Sequence, residues 1–511
     1  MRRLLKWVAR VFALSVTLLV LAIVTRRYWL PERFAVNLPG LQALLGRDPA
    51  APSVASLKRL TLPKGFALSR FAAGLKNARF LRITESGDVI VSQPREGRVT
   101  LLRRDENGDG ASDGTEPLLD GLDRPHGLAL KDGFLYVAEM TAVGRIHFDA
   151  ASRKTSGAFE RVITGLPSGG NHWTRTIGFG PDGFLYVSVG SSCNVCLEED
   201  ERRAAISRYD PASFKGAVYA RGLRNAVGFA WRPGTLELFA TDNGRDLLGD
   251  DFPPCELNRV VENGFYGWPF ANGDRVKDPD FGDGHEKEIA TTIPPAHGFR
   301  AHNAPLGIAF LEGSALSPDY QGSALVALHG SWNRTTKDGY KVVSIHWDGN
   351  GRITEKDFLT GFVENDTVIG RPVDIAQARD GSIYVSDDYA GSIFRITTGA
   401  AAAAAAPNPT PTNSGSEIAS APLTLDHAAV ARGRDLWRLD QCDLCHDPAV
   451  VAKDPENKLG KTTKLLVRLQ GKYDVAKMVK YLEAPQPPMP LFEMTAAERR
   501  DLAAYVLDRF R

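Results

Sequence analysis

A glycine-bearing turn followed by a short apolar run occurs six times between residues 86 and 388. The copies read SGDVIVSQ, DGFLYVAEM, DGFLYVSVG, PGTLELFATDNG, QGSALVALHG and DGSIYVSDD. Their glycines are Gly87, Gly133, Gly183, Gly234, Gly322 and Gly381, at spacings of 46, 50, 51, 88 and 59 residues. A unit of short strands and tight turns cannot bury its apolar surface alone. It is stable only when stacked on copies of itself, and strands at this period specify a β-propeller with one four-stranded blade per repeat. The pattern predicts an all-β, six-bladed propeller over 58–398, with an insertion over 263–295 inside the longest interval.

A second apolar strand with a polar entry precedes each repeat: LKNARFLRI, LDRPHGLAL, NHWTRTIGFG, LRNAVGFAW, HNAPLGIAF and GRPVDIAQA. If these are the innermost strands, their starts line one mouth of the central channel. That mouth would collect His126, His172, Arg175, Arg224, Asn225, His302, Asn303 and Arg371. So many cations and imidazoles suit an anionic ligand. Nucleic acid is not indicated as a partner, because 62 basic residues balance 61 acidic ones.

Other segments lie outside the repeat logic. DENGDGASDGTE fits the calcium-loop template, with Asp105, Asn107, Asp109, Asp113, Glu116 and the Ala111 carbonyl as candidate ligands. Its flanks read as strands, so a structural calcium hairpin is expected, against the alternative of an acidic turn without metal. Cys193 and Cys196 are expected to pair in an oxidising compartment, leaving Cys255 odd. Residues 1–32 carry an apolar run, Val11 to Val24, after Arg2, Arg3, Lys6 and Arg10. They read as an uncleaved membrane anchor in preference to a cleaved signal, with the remainder facing the periplasm of a bacterial inner membrane. Residues 33–57 read as a spacer.

After an Ala/Pro/Ser linker over 399–421, residues 422–511 read as a small helical domain. LDQCDLCHDP places Cys442, Cys445 and His446 in the C-x-x-C-H spacing of a covalently attached c-type haem. Met489, between prolines, is the candidate second axial ligand; Met494 is the competitor. Thr495 and Glu498 form a capping box for the last helix. The layout is that of a class I cytochrome c, which implies an oxidation upstream. No G-x-G-x-x-G opens a strand–helix unit, so nicotinamide and flavin folds are unsupported.

GLDRPHGLAL, GGNHWTRTIGFGPDG, RGLRNAVGFAW, TDNGRDLLGDD…CELN, ENGFYGWP and HGSWNR give residues 58–398 a resemblance to the pyrroloquinoline quinone-dependent sugar dehydrogenases, the aldose, glucose and sorbosone group. The resemblance implies His172 as general base at the sugar C1 hydroxyl or hydrated aldehyde, with Arg224 and Asn225 beside the reactive quinone carbonyls. It implies the Gly244 and Arg245 backbone carbonyls on a calcium ion, and Arg371 on a cofactor carboxylate. Two positions depart from the family. Its second arginine is Val373 here, and its lysine has no clear match, so that Arg334 or Lys341 would replace it. The expected activity is sugar oxidation, with electrons passing to the haem (ligated by His446 and Met489) and then to a cytochrome, the ubiquinone pool or a terminal oxidase. The alternatives are a calcium-dependent propeller lactonase and a non-catalytic electron-transfer protein.

Overall fold

The computed structural model describes residues 57–313, 316–364, 367–398, 426–439, 473–483 and 494–509, together with Ser15 and Thr17. Each of the six repeated turns carries its glycine at positive φ, between +71° and +92°, where a Cβ would be strained. Each turn joins the first two strands of an antiparallel four-stranded blade. The blades begin with the inner strands Leu81–Ile83, Leu128–Lys131, Arg175–Phe179, Ala226–Trp231, Pro305–Phe310 and Pro372–Gln377. The inner strands pack side by side in that order, and the sixth meets the first. The propeller is thus six-bladed and closed.

The second strands explain the apolar runs. Val89–Gln93, Leu185–Val189, Leu238–Asp242, Ala324–Leu328 and Ile383–Asp387 are buried along their whole length. Each is covered on both faces by neighbouring blades, so its sequence runs apolar instead of alternating. Outermost strands face water, and Lys154–Thr164 is mostly exposed.

The ring closes through a strand from before the first repeat. Phe66–Ala72 pairs antiparallel with Ser392–Thr398 as the outer strand of blade six. Phe71, Tyr384 and Ile393 then pack against Leu81, Val89 and Val91 of blade one. The long interval holds an excursion between Cys255–Val260 and His297–Phe299 of blade four. Part of it, Gly264–Phe265, adds a parallel fifth strand to blade three.

Described by itself, the second unit comprises the helices His427–Leu439, Val475–Glu483 and Ala496–Arg509. Trp437, Met478, Leu502, Tyr505 and Val506 form its core, with Met494 packed against it. Gly433 is where two helices touch: a Cβ there would lie 1.9 Å from the Asp501 carbonyl oxygen. The capping box is formed in both directions, Glu498 N to Thr495 Oγ1 at 3.2 Å and Thr495 N to a Glu498 carboxylate oxygen at 2.8 Å. The expected haem residues Cys442, Cys445, His446 and Met489 lie outside the described residues. So does the expected anchor, apart from Ser15 and Thr17. Among the described residues no helix is long and apolar enough to cross a membrane.

Candidate active site

Antiparallel pairing brings the entries to the inner strands, and the loops joining second to third strands, to one end of the channel. An apolar hub of Phe80, Val227, Leu306 and Val373 sits on the inner strands. Val373, where the resembled family has an arginine, is fully buried in that hub.

His172 enters just before blade three. Its Nδ1 lies 2.8 Å from the Ser191 carbonyl oxygen and 3.0 Å from Ser191 Oγ, and Ser191 Oγ donates to the Cys193 carbonyl at 2.7 Å. A carbonyl can only accept, so the proton is assigned to Nδ1 and Nε2 is left as the basic nitrogen. Burial, then the nearby Arg224 guanidinium, push the His172 pKa down to about 3. The ring is neutral at physiological pH.

Arg224 and Asn225 open the inner strand of blade four. Arg224 is buried, its residue being 5 % exposed, and every guanidinium nitrogen is used. Nε donates to the Asn194 carbonyl at 2.9 Å and Nη2 to Asn194 Oδ1 and Asp246 Oδ2, both at 2.9 Å. Nη1 donates to the Asn243 and Gly244 carbonyls at 3.1 and 2.9 Å. Burial alone would raise the Asp246 pKa, but Arg224, His302 and His172 together hold the carboxyl below its ordinary value. Asn225 is fixed by its backbone N–H on Asp242 Oδ1 at 2.6 Å, while its own Oδ1 is buried without a partner. Gly190 separates the two candidate groups: a Cβ there would lie 2.5 Å from Asn225 Oδ1 and 2.7 Å from His172 Cβ.

A second buried network is built from Arg79, His126, His329, Arg371 and Asp388. Asp388 accepts from Arg79 at 2.7 Å and lies 2.8 Å from His329 Nε2. Burial opposes its ionisation, yet His329 and Arg79 together hold it well below the ordinary carboxylate range. Arg79 also approaches His126 Nε2 at 3.5 Å and stands over the Trp173 ring. Arg371 donates to the His329 and Gly330 carbonyls at 3.0 and 3.1 Å. Arg79, His329 and Asp388 do not stand out in the sequence taken alone. Their signal is the register: Arg79 sits before an inner strand, and His329 and Asp388 directly follow second strands.

The remaining expected residues are placed elsewhere or otherwise committed. Arg175 braces the loop before it, donating to the His172 carbonyl at 3.0 Å. The Arg245 side chain is turned to Asp278, at 2.5 and 2.6 Å, and to Asp280; only its backbone, next to Gly244, adjoins the Arg224 cluster. Arg334 ties the Ala301 carbonyl at 3.2 Å to Asp251 at 3.0 Å. Lys341 pairs with Asp357 on the outer strand of blade five at 2.5 Å. His302 donates Nε2–H to the Gly249 carbonyl at 2.7 Å, and Asn303 Oδ1 is buried without a partner.

The Asp105–Glu116 segment, the expected calcium hairpin, is closed by hydrogen bonds and ion pairs among its own residues and two arginines. It joins the third and fourth strands of blade one, at the end opposite the mouth. Asp105 accepts from the Gly108, Asp109 and Gly110 amides and from Arg395 at 2.8 Å. Asp109 accepts from Ala111 N, Asp113 from Glu106 N and Asn107, and Glu116 pairs with Arg103 at 3.0 Å. No three of these carboxylates converge. Among the described residues the one such convergence is Cys193, Cys196 and Glu198, and there the two sulfurs are bonded to each other. Cys255 is free and buried.

The family described as TrAA12-like matches residues 60–256 and 276–399. An uncharacterised protein of Borreliella burgdorferi is 37% identical over 216 residues, 42% of this chain and 56% of its own length. A pyrroloquinoline quinone-dependent pyranose dehydrogenase of Coprinopsis cinerea is 25% identical over 409 residues, 66% of this chain and 54% of its own length. The chain thus spans little more than half the length of the curated relatives it matches. The holo form of the Coprinopsis cinerea pyranose dehydrogenase PQQ domain superposes with a TM-score of 0.58 at 22% identity, covering 68% of this chain and 99% of that one; this likeness concerns the fold. The chain belongs to the TrAA12-like family.

Proposed function

We propose that this member of the TrAA12-like family oxidises a sugar, aldose or sorbosone-like, at its C1 hydroxyl or hydrated aldehyde, using pyrroloquinoline quinone bound at the mouth. The observation that carries the reading is the juxtaposition of a neutral His172, its Nε2 open, with Arg224 and Asn225 across Gly190. The donor set fits an anionic, oxygen-rich planar cofactor. Arg79, Arg224 and Arg371 are buried cations, and Asn225 Oδ1, Asn303 Oδ1 and Arg79 Nε are buried polar atoms without partners. Arg371 and Arg79 would meet its carboxylates, and Asn225 would stand beside its carbonyls. The Gly244 and Arg245 carbonyls would offer oxygens to a calcium ion. When bound, the quinone supplies a two-electron acceptor. His172 removes the substrate proton at Nε2, with Ser191 holding Nδ1–H so that the ring neither turns nor changes tautomer. Arg224, fixed before substrate arrives, offers positive charge without reorganisation. Downstream, a haem on Cys442 and Cys445, ligated by His446 and Met489, would take the electrons on the periplasmic side of a membrane reached through residues 1–32.

A lactonase would need oxygen ligands converging on a central metal. Here the mouth carboxylates Asp246 and Asp388 are each held by an arginine.

The test is reconstitution of the full chain with pyrroloquinoline quinone and calcium, followed by a screen of aldoses, sorbosone and simple alcohols with a dye acceptor. His172→Gln removes proton acceptance, so turnover should fall by about 10²–10⁴-fold while cofactor uptake persists. Near-normal sugar oxidation by the variant would overturn the assignment of the base.

A further inference from the structure

The hexapeptide from Ser191 to Cys196 touches both halves of the candidate catalytic pair. Ser191 holds His172 through Nδ1, and its backbone N–H donates to the Arg224 carbonyl at 2.8 Å. Asn194 holds the Arg224 side chain. Its carbonyl accepts from Arg224 Nε at 2.9 Å and from Trp268 Nε1 at 3.3 Å. Its Oδ1 accepts from Arg224 Nη2 and from the Asp246 backbone N–H, both at 2.9 Å. Its Nδ2 donates to the Asp246 carbonyl at 3.0 Å. One residue therefore braces the arginine, the carboxylate residue that neutralises it and an indole. It does so from a loop with no strand pairing of its own, between Leu185–Val189 and Ala205–Tyr209.

A loop residue holds such a geometry only if the loop itself is constrained, because each unrestrained residue costs about 1–2 kcal/mol of backbone entropy to fix. The constraint here is covalent: Cys193 and Cys196 are bonded and flank Asn194 and Val195. Glu198 adds a brace by accepting the Ser192 N–H at 2.6 Å.

We propose that Asn194, held in register by the Cys193–Cys196 disulfide, is the positioning residue that sets the Arg224 guanidinium at the mouth. The inference rests on the proposed function for what Arg224 does there, but not for how Arg224 is held. Side-chain amide geometry makes the role specific. Both Oδ1 and Nδ2 are used on the same partner residue, Asp246, while Oδ1 and the carbonyl together grip two nitrogens of one guanidinium. Alanine keeps the carbonyl contacts and loses the other three. Aspartate keeps both Oδ acceptor contacts and loses only the donor.

Two measurements decide it. In the holoenzyme, Asn194→Ala should lower kcat by about 10²-fold, as a misplacement of about 1 Å at the reacting groups does, with sugar KM changed less than threefold. Asn194→Asp should recover most of that loss, and Cys193→Ser/Cys196→Ser should resemble Asn194→Ala. In the cofactor-free chain, hydrogen exchange read by mass spectrometry should show the segment 243–248 exchanging at least tenfold faster in the alanine and double-serine variants. Segments of blades one and six, unchanged, serve as the folding control. Unchanged exchange over 243–248 would overturn the proposal. So would an alanine variant whose kcat equals the wild type and whose melting temperature alone falls. If the wild-type holoenzyme oxidises no sugar, the proposed function fails, and the exchange result still decides the role of Asn194.

Discussion

At the scale of single residues, the mouth works by denying alternatives. His172 rests unprotonated, because burial and the Arg224 guanidinium both oppose a positive charge on the ring. Its Nε2 lone pair is therefore available to a substrate proton, with Nδ1 committed to Ser191. Gly190 makes this possible by leaving room between His172 and Asn225. Gly190→Ala would drive a methyl group into both, an overpacking that costs about 1–3 kcal/mol. We predict a modest fall in melting temperature and a much larger fall in sugar oxidation, on the order of 10²-fold from displaced reacting groups. An alanine variant with full turnover would show that the two side chains are not held against each other in the working enzyme.

At the scale of elements, a recurring device fixes the mouth. An acid at the end of a blade's second strand accepts the backbone N–H of the residue that opens its inner strand. Asp242 does this for Asn225 and Asp387 for Arg371, at 2.6 and 2.8 Å. Burial, helped by the neighbouring Asp388, raises the Asp387 pKa to about 7. A carboxyl raised on folding stabilises the fold fully below its unfolded pKa, near 4, and that contribution is lost as pH rises through 7. Asp387→Asn keeps an acceptor and removes the titration. The melting temperature of the wild type relative to Asp387→Asn should therefore decline between pH 5 and pH 8; a constant difference would contradict the raised pKa. The blade pattern was legible in sequence because the fully buried second strands and their positive-φ glycines repeat. The closing strand Phe66–Ala72 was not, since its half-buried sequence acquires meaning only from Ser392–Thr398, more than three hundred residues away. His172, Arg224, Asn225 and Arg371 were legible as entries to inner strands. Asn194, Arg79 and Asp388 were not, because their roles come from loops that meet only when the ring closes. The Asp105–Glu116 spacing was legible as a calcium-loop template, but not the pairing of Asp105 with Arg395 and of Glu116 with Arg103.

At the scale of the whole molecule, the propeller gathers buried cations at one end of its channel, and the proposed function places a haem on the segment that follows it. In that proposal the propeller supplies the oxidation and the haem the exit for electrons. The link between the two is what the proposal stands on. The direct measurement is anaerobic stopped-flow spectroscopy of the full chain, loaded with pyrroloquinoline quinone and calcium and mixed with each sugar in turn. We predict that an oxidisable sugar reduces the haem at a rate no slower than turnover, and that omitting the quinone abolishes the reduction. Haem that stays oxidised with every sugar, in a chain shown to have bound the quinone, would contradict it.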